Sequence, residues 1–168
     1  LASTDPRGTG LTAAMFPLVL GGMIGGIAIS IAVIGALRRV LAVVVYSAVG
    51  GVLLTGILAG RIGVLQGDFW TQAAVIALAL AAIAAPITGV VALIGRAGIA
   101  VGPIVMMLFA NPISGAAMPR EFLPGVWGQV GQWFPPGAAA NLLRDVSYFP
   151  QADASFSWLV LTGWTVGG

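Results

Sequence analysis

Four long apolar runs dominate the chain, and each one stops at a charge or a turn. Residues 11–37 end at Arg38 and Arg39, residues 40–60 at Arg61, residues 70–95 at Arg96, and residues 97–117 just before Pro119 and Arg120. A helix crossing a bilayer needs about 20 apolar residues, so each run predicts a transmembrane helix. Residues 158–168 turn apolar again but are too few to cross, and they predict the start of a fifth span that the sequence does not complete. Residues 1–10 carry Asp5, Pro6 and Arg7 and read as an extracytoplasmic linker.

Between the fourth and fifth runs the pattern changes. Residues 111–150 hold six of the ten prolines, too many breaks for one more span. Leu123, Trp127, Val130 and Phe134 recur at i, i+4, i+7 and i+11, which is one face of a helix. Pro135, Pro136 and Gly137 then break it, and residues 137–148 predict a second short helix with Pro136 near its first position. Residues 118–157 are therefore expected to form an external amphipathic helix pair, interfacial or re-entrant, with Trp127 and Trp133 at headgroup depth.

Composition turns the pattern into a class. Of 168 residues 59% are hydrophobic and 7% charged, against roughly a quarter charged in soluble domains. The predicted fold is an all-α polytopic membrane protein, a helical bundle with the external pair before its last span. Seven arginines against five acids lie scattered among loops without a basic cluster, which argues against nucleic acid as a partner. The bias to Arg over Lys and to Ala, Gly and Val fits a bacterial genome rich in G and C.

Small residues mark packing. Gly21, Gly22, Gly25, Gly26 and Ser30 form a stripe in the first run, and Gly56 and Gly60 a second pair, where absent side chains let backbones approach. The first stripe is also a candidate surface for homodimerisation. Arg38, Arg39 and Arg96 fall on one face of the membrane; Arg7, Arg61, Arg120, Arg144 and all five acids fall on the other. Arg38 and Arg39 sit in a very short connection, where positive charge marks the cytoplasmic side most strongly. The three are expected to anchor the topology and to touch membrane lipids.

The chemistry is sparse. The sequence has no Cys, His or Lys, and no serine has a candidate base nearby, so no metal site, cofactor or catalytic constellation is expected. Charges avoid the middle of the spans, which argues against a proton relay of the intramembrane-carboxylate kind. Asn111 is the most suggestive polar group: it either lines a path or binds a lipid headgroup, or it satisfies carbonyls freed by Pro112. Arg120–Glu121 and Arg144–Asp145 are expected either to cross-pair the two short helices or to remain solvated.

Asn111, Pro112 and Ser114 at the end of a span, the Pro-rich segment, the Phe134-Pro135-Pro136-Gly137 break and the Leu143-Arg144 end of a short helix resemble the C-terminal half of type-2 ABC exporter permeases. The pattern is most similar to their relatives in the phage-infection-protein family of bacterial membrane proteins. The resemblance implies a permease-like subunit of the bacterial inner membrane, exporting a lipid or amphipathic envelope component with an ATPase subunit as partner. It also implies that a first span and an external domain precede Leu1. The connection at Arg38 and Arg39 is shorter than the coupling loop of that class, which keeps a second expectation open: a non-transporting scaffold or accessory subunit of a larger membrane complex.

Overall fold

The computed structural model describes residues 9–118 and 120–168. Asp5, Arg7 and Pro119 lie outside them. The elements are α1 (Thr9–Ala32), α2 (Ala36–Thr55, extended by a π turn Gly56–Arg61), α3 (Phe69–Ile94), α4 (Gly98–Ile104, continued by a π turn Val105–Ala110), α5 (Trp127–Val130), α6 (Pro135–Tyr148) and α7 (Ser155–Gly167). No strand occurs among the described residues. Three stretches are long and apolar enough to cross a membrane: Thr9–Ala32, Ala36–Arg61 and Phe69–Ala110. The chain is an all-α helical membrane protein.

The third stretch is folded on itself. A straight helix of its 42 residues would be about 63 Å long at 1.5 Å per residue, twice the hydrocarbon thickness. Gly95, at φ 68°, ends α3 instead, a backbone conformation open chiefly to glycine. The chain then doubles back: Gly98 lies against the Val91 backbone and Gly102 against Ile87, an antiparallel register. The expected fourth span is accordingly shorter than residues 97–117. Helix ends at Ala110, and Asn111 and Pro112 lie in the turn beyond it.

α3 is the axis of the bundle. It buries residues from Gln72 to Val91 and carries α1, α2, α4, α6 and α7 around it. Glycines set the spacing of its neighbours. Gly22 of α1 faces Ile83 and Gly26 faces the Ala84 backbone, while Gly51 of α2 faces Ala73 and Ala77. A side chain at these points has nowhere to go. Gly25 lies under the Tyr46 ring, and the Tyr46 hydroxyl donates to the Gly21 carbonyl at 2.6 Å. The stripe proposed for a homodimer is thus filled within the chain, so self-association requires another surface. Gly56 and Gly60 face open space and pack against nothing.

The first hairpin is also tighter than the apolar pattern implies. α1 stops at Ala32 rather than residue 37, because Gly35 turns the chain at φ 97°. Arg38 and Arg39 therefore lie in the first turn of α2, not in a loop. Arg39 reaches back to the carbonyls of Val33 at 2.9 Å and Ser30 at 3.1 Å, capping the end of α1 where carbonyls lack intrahelical donors. Arg38 and Arg96 are exposed at the same end of the bundle.

The opposite end begins at Asp68. Its carboxylate accepts from the Thr71 backbone N–H at 2.7 Å and hydroxyl at 2.8 Å, an N-cap for α3. Those bonds hold its pKa below the usual carboxylate value.

Candidate functional site

Residues 111–134 build the site at the Asp68 end. Asn111 contributes its backbone rather than its amide to the turn: its carbonyl accepts from the Ser114 N–H at 3.2 Å and hydroxyl at 2.6 Å. Ser114 is buried, and its hydroxyl in turn accepts from the Ala116 N–H at 3.2 Å. Pro112 is exposed.

The expected amphipathic helix over residues 119–134 is not one helix. Gly125, at φ 62°, interrupts it after Pro124, leaving a turn at Arg120–Phe122, the single helical turn of α5 and another at Gly131–Trp133. The second helix forms as expected, with Pro135 and Pro136 in its first turn, where a missing N–H costs nothing. Its place differs from an interfacial helix, because the residues from Pro135 to Ala140 are all buried. Phe134 packs on the cluster of Val19, Met23, Ile83, Ile87, Met106 and Ala110, around the middle of α3. Tyr148, at the other end of α6, donates to the Val64 carbonyl at 2.6 Å, back beside Asp68. The segment therefore enters from the Asp68 end, turns at Phe134 and Pro135, and returns to the same end as α6. It is a hairpin packed into the bundle.

Backbone approach holds the hairpin closed. A methyl on Gly131 would strike the Ile113 carbonyl, one on Gly137 the Gly131 carbonyl, and one on Gly128 the Arg120 carbonyl. Aromatic rings then pin it to its neighbours: Phe109 meets Trp127 and Phe134 edge-on at 5.9 and 5.5 Å, and Trp133 meets Phe156 at 5.0 Å. The Trp164 indole N–H donates to the Trp133 carbonyl at 2.7 Å. Trp127 and Trp133 are exposed on their remaining faces.

Inside the hairpin runs a polar relay that spacing along the sequence did not reveal. The Gln132 amide, 5% exposed, donates to the carbonyls of Ser114 at 3.1 Å and Gly128 at 3.2 Å. Its oxygen accepts from the Asn141 amide. The Asn141 oxygen accepts from Arg144 at 3.4 Å. Ser114, Gln132, Asn141 and Arg144 thus join the two arms of the hairpin across gaps of many residues. A buried amide with every group bonded fixes position strongly.

Above the relay opens a cup of about 560 Å³. Arg120, Arg144, Glu121, Asp145 and Asp153 line it, with Thr12 of α1 and Phe156 and Ser157 of α7. The expected cross-pairing of the helices does not occur. Arg120 pairs with its own neighbour Glu121 at 3.1 Å, the one ion pair among the described residues. The Glu121 backbone N–H and Arg120 hold the Glu121 pKa low, whereas burial pushes that of Asp145 up against the pull of Arg144 and Arg120.

Beside the cup, a groove of about 810 Å³ runs between α3 and α7. Its walls include Val90, Leu93, Trp133 and Leu159, nearly all apolar, and it is bounded by Gly167 and Gly168, the last residues of the sequence. Phe156 lines both cavities.

The described residues contain no group of three acidic side chains suited to a metal. The chain matches no known protein family, no curated protein and no solved structure. What the fold defines is the class: an all-α membrane protein with a helical hairpin packed into its bundle.

Proposed function

We propose that this chain is a permease-like subunit of the bacterial inner membrane that exports a lipid or other amphipathic envelope component. The observation supporting this reading is the cup of mixed charge between the hairpin, α1 and α7, set at one end of an otherwise apolar bundle. The hairpin end then faces the extracytoplasmic side and the Arg38 and Arg96 end the cytoplasm, in keeping with positive charge beside short connections. Asn111, Pro112 and Ser114 shape the turn at the exit, Pro135 and Pro136 the tip, and Arg144 the floor of the cup. No catalytic chemistry is part of this reading.

A second reading is favoured by a specific observation. The connections at the Arg38 end are tight, at residues 33–35 and 95–97, and Arg39 is folded back onto α1. An ATPase subunit finds little of these connections to grip, which fits a non-transporting scaffold in a larger envelope complex. Purification from native membranes separates the two. A co-purifying ATPase, together with lipid export in reconstituted vesicles that Arg144→Gln reduces, is the outcome expected of a permease. Recovery with envelope proteins alone, and lipid distribution that never changes, favours the scaffold.

A further inference from the structure

A third cavity, of about 410 Å³, lies where the start of α3, the C-terminal end of α6 and the α6–α7 connection meet. Its walls run from Gly67 to Trp158, so neither end of the sequence takes part in them. Two carboxylates line it, Asp68 and Asp145, and no basic side chain does so among the described residues. Both bonds that Asp68 accepts from Thr71 go to Oδ2, so the cap of α3 uses one oxygen of the pair. Asp145 is also a wall of the cup, where Arg144 and Arg120 pull on it, yet burial outweighs them and raises its pKa. A carboxylate so placed gains from one more cation. An acidic pair alone marks only a solvated rim, and Ser147 adds an observation of another kind. It lines the same cavity, is 7% exposed, and its hydroxyl has no hydrogen-bond partner. A buried hydroxyl left unpaired is costly, and a ligand in the cavity that it lines supplies the missing bond. The end of α6 contributes the same sign, since the last carbonyls of a helix lack donors further along it and its dipole is negative there. Trp158 and Phe149 complete the wall, and aromatic faces suit the CH₂ groups that flank an ammonium.

We infer that this cavity binds a small organic cation, a primary ammonium on an apolar arm, with the ammonium held by Asp68, Asp145 and the Ser147 hydroxyl and the arm against Trp158 and Phe149. The site does not rest on the export reading and stands whether or not the chain moves a lipid. A bare metal ion is the poorer fit. The described residues hold no group of three acidic ligands, a calcium ion takes about six to eight oxygens, and the aromatic wall offers none. An anion is repelled by both carboxylates, and a neutral molecule leaves their charge unanswered.

The test is isothermal titration of the protein in phosphatidylcholine nanodiscs, whose headgroups carry no net charge, with phenethylammonium and its uncharged counterpart 2-phenylethanol. Phenethylammonium is expected to bind about tenfold more tightly, the difference made by one charge-assisted contact. Asp145→Asn is expected to weaken its binding about tenfold. Asp68→Asn removes the charge but keeps the cap, since asparagine serves as well at that position, and is expected to weaken binding without loosening α3. Ser147→Ala lowers affinity severalfold while leaving the melting temperature of the ligand-free protein unchanged or raised, which loss of a merely structural serine would not do. Val49→Ala on the exposed face of α2 changes none of these and controls for handling. Equal binding of 2-phenylethanol, unchanged affinity in a folded variant carrying both Asp68→Asn and Asp145→Asn, or displacement of the amine by calcium at equal concentration overturns the inference.

Discussion

The Tyr46 hydroxyl reaches the Gly21 carbonyl at 2.6 Å from an adjacent helix, and its ring fills the space that Gly25 leaves. One side chain so provides both a lock and a spacer between α1 and α2. Tyr46→Phe keeps the spacer and removes the lock, and is expected to lower stability by about 0.5–1.5 kcal/mol, read as a shift in thermal unfolding in detergent. At the Asp68 end two carboxylates respond to acid with opposite signs. Asp68 has its pKa lowered by Thr71, so its stabilisation is present above the unfolded value, about 3.9, and is lost as pH falls through the folded one. Asp145 has its pKa raised by burial, so the native state holds that proton more tightly and stability declines as pH rises through the interval. Thermal melts against pH are expected to show a shallower acid loss in Asp68→Asn. Asp145→Asn should melt above the wild-type protein at neutral pH and lose that advantage in acid. Asp68 bonds Thr71 three residues on at the start of an apolar run, a spacing the sequence carries, whereas the burial of Asp145 is not legible from its neighbours. The Ser114, Gln132, Asn141 and Arg144 relay is the plainest case, because Gln132 meets Ser114 and Asn141 only once the hairpin has closed.

At the scale of elements, the first three apolar runs coincide with the stretches long and apolar enough to cross, since burial in lipid demands length and low charge, whereas the fourth, residues 97–117, is helical only to Ala110. Their ends were read less well. Gly35 and Gly95 turn the chain at positive φ, and a glycine in a glycine-rich span gives no warning that it will do so. The two short helices joined at Pro135 and Pro136 are expected from the sequence as either interfacial or re-entrant, and the structure buries the second from Pro135 to Ala140. Amphipathic spacing predicts a helix lying on a surface, whereas Gly128, Gly131 and Gly137 act by letting backbones touch and leave no hydrophobic signature. These glycines therefore make the sharpest test of the arrangement. Gly131→Ala and Gly137→Ala each drive a methyl into a backbone carbonyl, and each is expected to cost about 1–3 kcal/mol. Gly56→Ala meets nothing and is expected to be neutral or stabilising by up to about 1 kcal/mol. Comparable losses at all three sites would mean that helix propensity, not hairpin closure, governs the response.

For the whole molecule, the arrangement places Arg38, Arg39 and Arg96 at one end and Asp68, Arg120, Glu121, Arg144, Asp145 and Asp153 at the other. The polar cup sits at the second end because the chain goes down to Phe134 and comes back up through α6, which leaves residues 118 and 149 at the same end of the bundle. Single-cysteine labelling tests this directly, since the native sequence has no cysteine to remove. With cysteine at Met118, Pro135, Phe149 or Arg96 in turn, a membrane-impermeant maleimide applied to sealed vesicles is expected to label positions 118 and 149 from one side. Position 96 should label only from the other, and position 135 should stay protected until the protein is unfolded. Labelling of 118 and 149 from opposite sides would make residues 119–148 a crossing segment and contradict the hairpin on which the cup and the proposed function depend.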